Sequence, residues 1–221
     1  ELSEAAQHKP QGLIVCPTRE LALQVATDIE QAGAGLGIRV LSIYGGRAYE
    51  PQIDALRAGI DVVVGTPGRI IDLAGRGDLD LSNVRELVLD EADEMLDMGF
   101  LPDVEKIVAL VPTNRQTMLF SATMPDEIAR LATDMLRDPV RVEIAPQATP
   151  VERIDQSVRH VAAGGGKTQA LRDVFADPDL SRVILFTRTK HRANRVADQL
   201  EKMGVPAAAI HGNKSQAARQ K

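Results

Sequence analysis

The string Asp90-Glu91-Ala92-Asp93 contains the residues best suited to chemistry, and it directly follows the apolar run Leu87-Val88-Leu89. Carboxylates in a loop after a strand can hold Mg²⁺, because this hard cation binds through one or two carboxylates, water and phosphate oxygens. The neighbouring carboxylate can orient a water for attack on a phosphoryl group. The same four residues taken alone also fit an acidic N-cap of the following helix, and that alternative stays open.

Polar clusters follow other short apolar runs as well. These clusters are Pro17-Thr18-Arg19-Glu20, Gly45-Gly46-Arg47, Gly65-Thr66-Pro67-Gly68-Arg69 and Ser121-Ala122-Thr123. In open α/β sheets, ligands bind at the carboxyl ends of the strands, because the loops there direct helix N-termini and backbone amides at the ligand. We therefore expect all five clusters to lie along one edge of a sheet and to form a functional rim.

Two of these loops, residues 17–19 and 66–69, each combine a hydroxyl, a helix start and a guanidinium. All three groups suit phosphate oxygens. A capped helix with proline near its first turn explains either loop alone equally well. Together on one edge, the two loops suggest a path for a polyphosphate backbone, whose contacts position a strand without reading its sequence.

Continuous apolar runs predict the strands that position these loops. The runs are Leu13-Ile14-Val15, Val40-Leu41-Ser42-Ile43, Val62-Val63-Val64, Leu87-Val88-Leu89 and Met118-Leu119-Phe120. Continuous rather than alternating apolarity is typical of strands buried on both faces of a parallel sheet. Between the runs, patterns such as Leu21, Val25 and Ile29 at four-residue spacing predict helices. Strands that alternate with helices predict a doubly wound α/β domain.

A second α/β domain is predicted over residues 153–221. The first domain, residues 1–144, ends in a predicted strand over residues 140–144, and residues 145–152 form a linker with two prolines. The second domain's predicted elements are strands at 157–161, 183–186 and 207–210, a helix at 167–176 and a helix through Val196, Leu200 and Met203. Because about seventy residues bury only a small core, we expect this domain to be loosely ordered or completed by another chain.

Charge is distributed unevenly along the chain. The net formal charge is −5, but residues 1–151 hold 13 basic and 24 acidic side chains, whereas residues 152–221 hold 13 basic and 7 acidic ones. The C-terminal part is therefore the basic one.

No apolar run approaches the roughly 20 residues that span a bilayer, so no membrane is expected as a partner. The single cysteine, Cys16, lies in an apolar run, which predicts a buried thiol and a reducing, cytoplasmic location.

In their order and spacing, the clusters resemble the motifs of DEAD-box ATP-dependent RNA helicases, of superfamily 2 and bacterial type. Residues 17–24 resemble motif Ia, Gly45-Gly46 the glycine doublet, residues 66–69 motif Ib, residues 90–93 motif II, residues 121–123 motif III, residues 184–190 motif IV, and His211-Gly212 part of the next motif. The resemblance implies two RecA-like doubly wound parallel-sheet domains, the first lacking its N-terminal part and the second truncated.

The resemblance also implies roles for individual residues. Asp90 would hold Mg²⁺ through water, Glu91 would activate the hydrolytic water, and Asp93 would link to the second domain. Ser121 and Thr123 would couple ATP hydrolysis to strand separation. The residues implied to line the RNA backbone are Pro17, Thr18, Arg19, Gly45, Gly46, Thr66, Pro67, Gly68, Arg69, Thr189 and Gly212. ATP and Mg²⁺ are thus the implied cofactors, and RNA bound with little sequence specificity is the implied partner.

The family's phosphate-binding loop is expected upstream of motif Ia, and its arginine-finger motifs are expected after residue 221. The residues that hold ATP are therefore unknown. Gly166-Lys167-Thr168 lacks the upstream glycine of a P-loop, so a loop entering a helix is predicted there. We expect a fragment that binds RNA weakly without turnover, from a parent protein that unwinds RNA. A DNA-acting superfamily 2 motor and a non-catalytic RNA-binding fragment stay open as alternatives.

Overall fold

The computed structural model describes residues 9–143, 155–161 and 166–219. The chain divides into two compact units, Glu1–Ala148 and Thr149–Lys221. The predicted linker, residues 145–152, lies outside the described residues, so the predicted domain boundaries stay a prediction.

The first unit is built on a sheet of five parallel strands. In chain order they are β1 Gly12–Val15, β2 Val40–Ile43, β3 Val62–Gly65, β4 Glu86–Leu89 and β5 Gln116–Leu119. Their order across the sheet is β2-β3-β1-β4-β5. Each predicted apolar run forms one strand, which confirms the five-strand prediction. The fifth strand ends before Phe120, whose side chain is exposed.

Helices connect these strands and cover both faces of the sheet. They are α1 Arg19–Gly33, α2 Glu50–Ala58, α3 Pro67–Gly75, α4 Ala92–Asp97, α5 Leu101–Leu110 and α6 Asp126–Met135. The N-terminus of α1 is capped by Thr18, whose Oγ1 accepts a hydrogen bond from the Leu21 N–H at 3.2 Å. A short 3₁₀ turn follows α1 and ends at Gly37, whose positive φ of 67° suits glycine. Within the described residues, no helix combines the length and apolarity needed to cross a membrane.

The core lies on both faces of the sheet because consecutive strand residues point to opposite sides. In β1, Leu13 and Val15 join a large cluster that includes side chains of α3 and α5. Ile14 and the following Cys16 join a second cluster with α1. This two-sided burial confirms the predicted doubly wound α/β class, and it confirms that Cys16 is buried.

The loop between α3 and β4 is held by an interaction between Lys9 and Asp80. Lys9 Nζ lies 2.7 Å from Asp80 Oδ2, and the Ser82 N–H donates to Asp80 Oδ1 at 2.8 Å. The hydrogen bonds from Lys9 and then Ser82 lower the pKa of Asp80 to about 2. A carboxyl group with a lowered folded-state pKa stabilises the fold above its unfolded pKa, and this contribution is lost as the pH falls through the folded value.

We therefore expect Asp80→Asn to reduce the free energy of unfolding at pH 7 by less than about 1 kcal/mol, because the ion pair is half-exposed and screened. The difference from the unsubstituted protein should vanish as the pH falls from about 4 to about 2. Urea denaturation over that pH range measures it. Asp54→Asn is the control, because Asp54 lies 3.8 Å from Arg57 in a largely exposed pair. A constant difference at all pH values would contradict the assignment.

The second unit contains helices α7 Gly166–Phe175, α8 Lys190–Lys202 and α9 Gln216–Arg219. The two predicted helices and the helix start at Gly166-Lys167-Thr168 are confirmed. The strands predicted at 157–161, 183–186 and 207–210 are wrong, since none of these segments forms a sheet ladder. The strand predicted at 140–144 is also absent over residues 140–143, and residue 144 lies outside the described residues.

The predicted strands are not formed because they lack a partner strand. A strand requires a neighbour for its backbone N–H and C=O groups, and no neighbour pairs with these segments in the described part of the unit. Ile184 and Phe186 are accordingly 83% and 91% exposed. Apolarity therefore identified segments that can form strands without establishing that they do.

Candidate functional site

The five polar clusters lie side by side at the carboxyl edge of the sheet. The parallel register aligns Ile43 with Gly65, Gly65 with Val15, Val15 with Leu89, and Leu89 with Leu119. Backbone hydrogen bonds extend this order past the strands: Asp90 N–H donates to the Val15 carbonyl at 3.0 Å. The common edge predicted from the sequence is therefore confirmed.

Strand order divides this edge into two parts of opposite charge. We call the loops after β2, β3 and β1, with Arg47, Arg69 and Arg19, the basic half of the rim. The loops after β4 and β5, residues 90–93 and 121–123, form the acidic half. Because β1 lies between β3 and β4, its loop borders both halves. Cys16 directly follows β1 and so lies near the carboxylates that follow β4. Its pKa is raised to about 12 by burial and then by the charges of Asp90 and Glu91.

In the acidic half, Asp93 joins the loops after β4 and β5. The Thr123 N–H and Oγ1 donate to Asp93 Oδ2 at 2.9 and 2.8 Å, and the Asp93 N–H donates to Ser121 Oγ at 3.1 Å. Partial burial acts to raise the pKa of Asp93, but the hydrogen bonds from Thr123 and Ser121 outweigh it and lower that pKa. Asp93 is therefore an ionised carboxylate that binds the two loops together.

Glu91 occupies the N-cap position of α4, but its side chain makes no capping hydrogen bond. The first helical N–H groups bond elsewhere, Ala92 N–H to the Phe120 carbonyl and Asp93 N–H to Ser121. Helix capping therefore does not explain the Glu91 carboxylate. Its backbone has φ 52° and ψ 55°, a left-handed conformation that costs a non-glycine residue about 1–2 kcal/mol. Such strain is concentrated at functional sites.

Burial, followed by the charges of Asp90, Glu94 and Asp93, raises the pKa of Glu91. A carboxylate with a raised pKa is a stronger base than an ordinary glutamate, as activation of a water requires. The Glu91 N–H donates to Asp90 Oδ1 at 3.0 Å, which orients the Asp90 carboxylate at the end of β4. Asp90 and Glu91 therefore have distinct environments despite being adjacent.

The surroundings of Asp90 fit a Mg²⁺ ion bound largely through water. In the described part of the chain, no group of three or more His, Cys, Asp or Glu side chains could hold a metal ion. Mg²⁺ takes one or two protein carboxylates and completes its shell with water and phosphate oxygens, so Asp90 suffices as its protein contact. Beside Asp90, Glu91 and Ser121 lies a cavity of about 920 Å³ that can accommodate a ligand.

In the basic half, the Arg19 guanidinium lies against the Gly45-Gly46 loop. A Cβ at Gly46 would lie 2.6 Å from Arg19 Nη1, and Gly46 has a positive φ of 81°. The positive φ favours glycine at this position, and the short distance shows how closely the Arg19 side chain approaches the loop backbone. The loop backbone and the Arg19 charge therefore share one surface.

The neighbouring loop presents the N-terminus of α3. Thr66 is its N-cap without a side-chain capping bond, and Pro67 occupies the first turn. A Cβ at Gly68 would meet nothing within 4 Å, so the helix start is open to a ligand. A helix N-terminus with an open approach favours anions such as phosphate.

Arg69, predicted to line the same path, is only 6% exposed. Its Nη2 donates to the Arg47 carbonyl at 3.2 Å, and its guanidinium lies 4.1 Å from the centre of the Tyr49 ring. Sequence reasoning did not identify Tyr49. The available signal was its position, because the chain's two tyrosines, Tyr44 and Tyr49, flank the Gly45–Arg47 loop.

The second unit brings Thr189 and Gly212 to one local cluster. Thr189 caps α8, its Oγ1 accepting from the Arg192 N–H at 3.3 Å. The loop that contains Gly212 is tied to α8 by a hydrogen bond from Lys190 Nζ to Asn213 Oδ1 at 3.1 Å. Cationic side chains of α7, α8 and the loop before α8 line a cavity of about 840 Å³ in this unit. They are Lys167, Arg188, Arg192 and Arg195.

The sequence model of the DEAD/DEAH box helicases matches residues 1–131, which include all five clusters of the rim. The chain belongs to this family. Its motif II is the string 90–93 and its motif III the string 121–123, the two loops joined by Asp93. The fold of the first unit is therefore the RecA-like domain of a DEAD-box protein.

Known DEAD-box proteins resemble this chain over most of its length. It is 47% identical to the ATP-dependent RNA helicase DeaD of Buchnera aphidicola, over 96% of this chain and 35% of that protein. It is 45% identical to the ATP-dependent RNA helicase DeaD of Escherichia coli, over 96% of this chain and 34% of that protein. The crystal structure of a DEAD box protein from Methanococcus jannaschii is 40% identical with a TM-score of 0.60, over 99% of this chain and 58% of that one. The chain thus spans about a third of the length of these two helicases.

Proposed function

We propose that the protein containing this chain is an ATP-dependent RNA helicase, which couples RNA-stimulated ATP hydrolysis to local duplex unwinding. The division of the rim into a basic and an acidic half carries the proposal. A polyanionic backbone suits the basic half, and a metal-bound nucleotide suits the acidic half. The DeaD proteins similar to this chain are named ATP-dependent RNA helicases, which supports the same reaction.

In the acidic half, Glu91 acts as the base that orients and activates the attacking water, and Asp90 holds Mg²⁺ through water. When bound, the ion neutralises charge on the phosphate oxygens of ATP. Asp93 keeps the loops after β4 and β5 at a set separation through its bonds to Thr123 and Ser121. Through these bonds, Ser121 and Thr123 couple ATP hydrolysis in the acidic half to strand separation at the rest of the rim. Asp93 contacts the second domain when the two domains close.

In the basic half, Arg19, the amides of Gly45 and Gly46, and the start of α3 at Thr66–Gly68 hold the RNA backbone. Pro17, Thr18 and Arg69 support these loops, and Thr189 and Gly212 hold RNA from the second domain. Contacts of this kind bind the backbone with little sequence specificity. A cytoplasmic location is proposed with this function, and it agrees with a buried Cys16 thiol whose pKa is raised to about 12.

Arg19→Ala tests the RNA surface. In the full-length protein, we expect the Kd for single-stranded RNA to rise about tenfold, because one phosphate-binding guanidinium is lost. The slope of log affinity against log salt should become shallower by about 0.7. Arg57→Ala is the control, since Arg57 is exposed on α2 away from the rim, and both quantities should stay unchanged. Equal affinities for the two variants would contradict an RNA surface at Arg19.

Two comparisons separate this proposal from its alternatives. A matched DNA strand that competes equally with RNA would favour a DNA-acting superfamily 2 motor. The 221 residues by themselves are predicted to bind RNA weakly without turnover, and measurable ATP hydrolysis by them would refute that prediction.

A further inference from the structure

Tyr49 packs along one face of α3 through three separate contacts. The guanidiniums of Arg69 and Arg76 lie over its ring, 4.1 and 4.6 Å from the ring centre. Its hydroxyl donates a hydrogen bond to Asp72 Oδ2 at 2.5 Å. Residues 69, 72 and 76 follow the i, i+3, i+7 spacing of a single helix face. Tyr49 therefore joins the segment before α2 to two residues of α3 and to Arg76, the residue at its C-cap.

The charges around the ring are balanced in a way that favours this arrangement. A guanidinium is attracted to the face of an aromatic ring. Two guanidiniums on one ring repel each other, but Asp78 accepts a hydrogen bond from Arg76 Nε at 3.0 Å and the negative charge of Asp72 also acts on Arg76. The hydrogen bond to Asp72 also raises the pKa of Tyr49. The hydroxyl and the ring thus each have a defined partner.

This arrangement connects directly to the basic half of the rim through Arg69. With only 6% of its surface exposed, Arg69 lies over Tyr49 and donates from Nη2 to the Arg47 carbonyl at 3.2 Å. That carbonyl belongs to the loop whose glycines face Arg19. Arg69 therefore joins the start of α3 to the Gly45–Arg47 loop, and its contacts keep its guanidinium inside the protein.

We propose that Tyr49 is a positioning residue for RNA: through Arg69, it holds the Gly45–Arg47 loop in register with the open N-terminus of α3. The inference rests on the proposed function, since it concerns the surface assigned to the RNA backbone. Tyr49 itself does not touch RNA. Its ring sets the position of Arg69, and Arg69 sets the position of the loop backbone that touches RNA.

The test compares Tyr49→Leu and Tyr49→Phe in the full-length protein. Tyr49→Leu removes the ring and should raise the Kd for single-stranded RNA about tenfold, while kcat of ATP hydrolysis at saturating RNA stays within about twofold. Tyr49→Phe keeps the ring under both guanidiniums and should restore RNA affinity to within about threefold of the unsubstituted protein. A loss of affinity with Phe as large as with Leu would overturn the role of the ring.

A double variant establishes whether Tyr49 acts through Arg69. Arg69→Gln alone should weaken RNA binding about as much as Tyr49→Leu, and the double variant should be no weaker than the stronger single one. Multiplied effects would overturn the inference, because they indicate independent roles. If Arg19→Ala weakens RNA binding and Tyr49→Leu does not, the positioning role fails while the proposed function stands. If neither weakens it, the RNA surface itself is wrong.

Discussion

Replacing Glu91 with Gln in the full-length protein is expected to lower the rate of RNA-stimulated ATP hydrolysis by about a thousandfold, because a general base contributes about 10²–10⁴ to such a rate. Gln keeps the size of the side chain and accepts the same left-handed backbone, with φ 52°, at similar cost. The Kd for RNA should change little, because Glu91 lies in the acidic half of the rim. A steady-state ATPase assay and an RNA titration measure the two effects.

The dependence of the ATPase rate on pH provides a second test of the same assignment. A base works when ionised, so the acid limb of the profile falls where the pH passes through the pKa of Glu91. Burial and the charges of Asp90, Glu94 and Asp93 raise that pKa, whereas a Mg²⁺ ion held at Asp90 would lower it, so the position of the acid limb depends on both.

Glu94→Gln serves as the matched control. It removes one of the charges that raise the pKa of Glu91, so it should move the acid limb to lower pH while the maximal rate stays within about threefold. An unchanged rate in Glu91→Gln, or equal losses in the two variants, would contradict Glu91 as the base.

Gly65→Ala is expected to destabilise the first unit by about 3 kcal/mol, at the upper end of the usual cost of overpacking. A Cβ at Gly65 would lie 2.6 Å from Ile43 Cγ1 and 2.7 Å from the Ile43 backbone oxygen. That oxygen also accepts the Thr66 N–H at 3.1 Å, so β2 and β3 would have to separate where the loop of the basic half begins. Thermal unfolding should shift down by roughly 6–12 °C for a protein of this size.

Gly75→Ala is the matched control for this substitution. Gly75 is the last residue of α3, and a Cβ there would meet nothing within 4 Å. Alanine in a helix is favoured over glycine by about 0.5–1 kcal/mol, so this variant should unfold at the same or a higher temperature. Equal melting temperatures for the two variants would show that β2 and β3 adjust to the added methyl group.

Most of the first unit could be predicted because its strands are buried on both faces. Val62 to Val64 and Leu87 to Leu89 are apolar without interruption, and burial between two layers of helices requires that pattern. The same pattern misled in the second unit, where the run 183–186 is apolar but lies unpaired. A strand depends on a neighbour that a local sequence does not contain.

The sequence by itself determined which chemistry the rim can carry. The carboxylates of Asp90, Glu91 and Asp93, and the glycines and hydroxyls of the other clusters, follow apolar runs, and parallel strands bring such loops to one edge. The family resemblance then identified each cluster as a helicase motif, and the family assignment is confirmed.

Only the tertiary structure decided how these groups are divided and which of them are exposed. The strand order β2-β3-β1-β4-β5 differs from the order of the strands along the chain. It places the three loops with arginines side by side and the two loops of the acidic half next to them. The left-handed backbone of Glu91 directly precedes the Ala92 N–H that bonds to the Phe120 carbonyl of another loop, and Arg69 is buried over Tyr49. Residue type therefore specifies what a side chain can do, whereas long-range packing decides how exposed it is to solvent and which charges and partners lie near it.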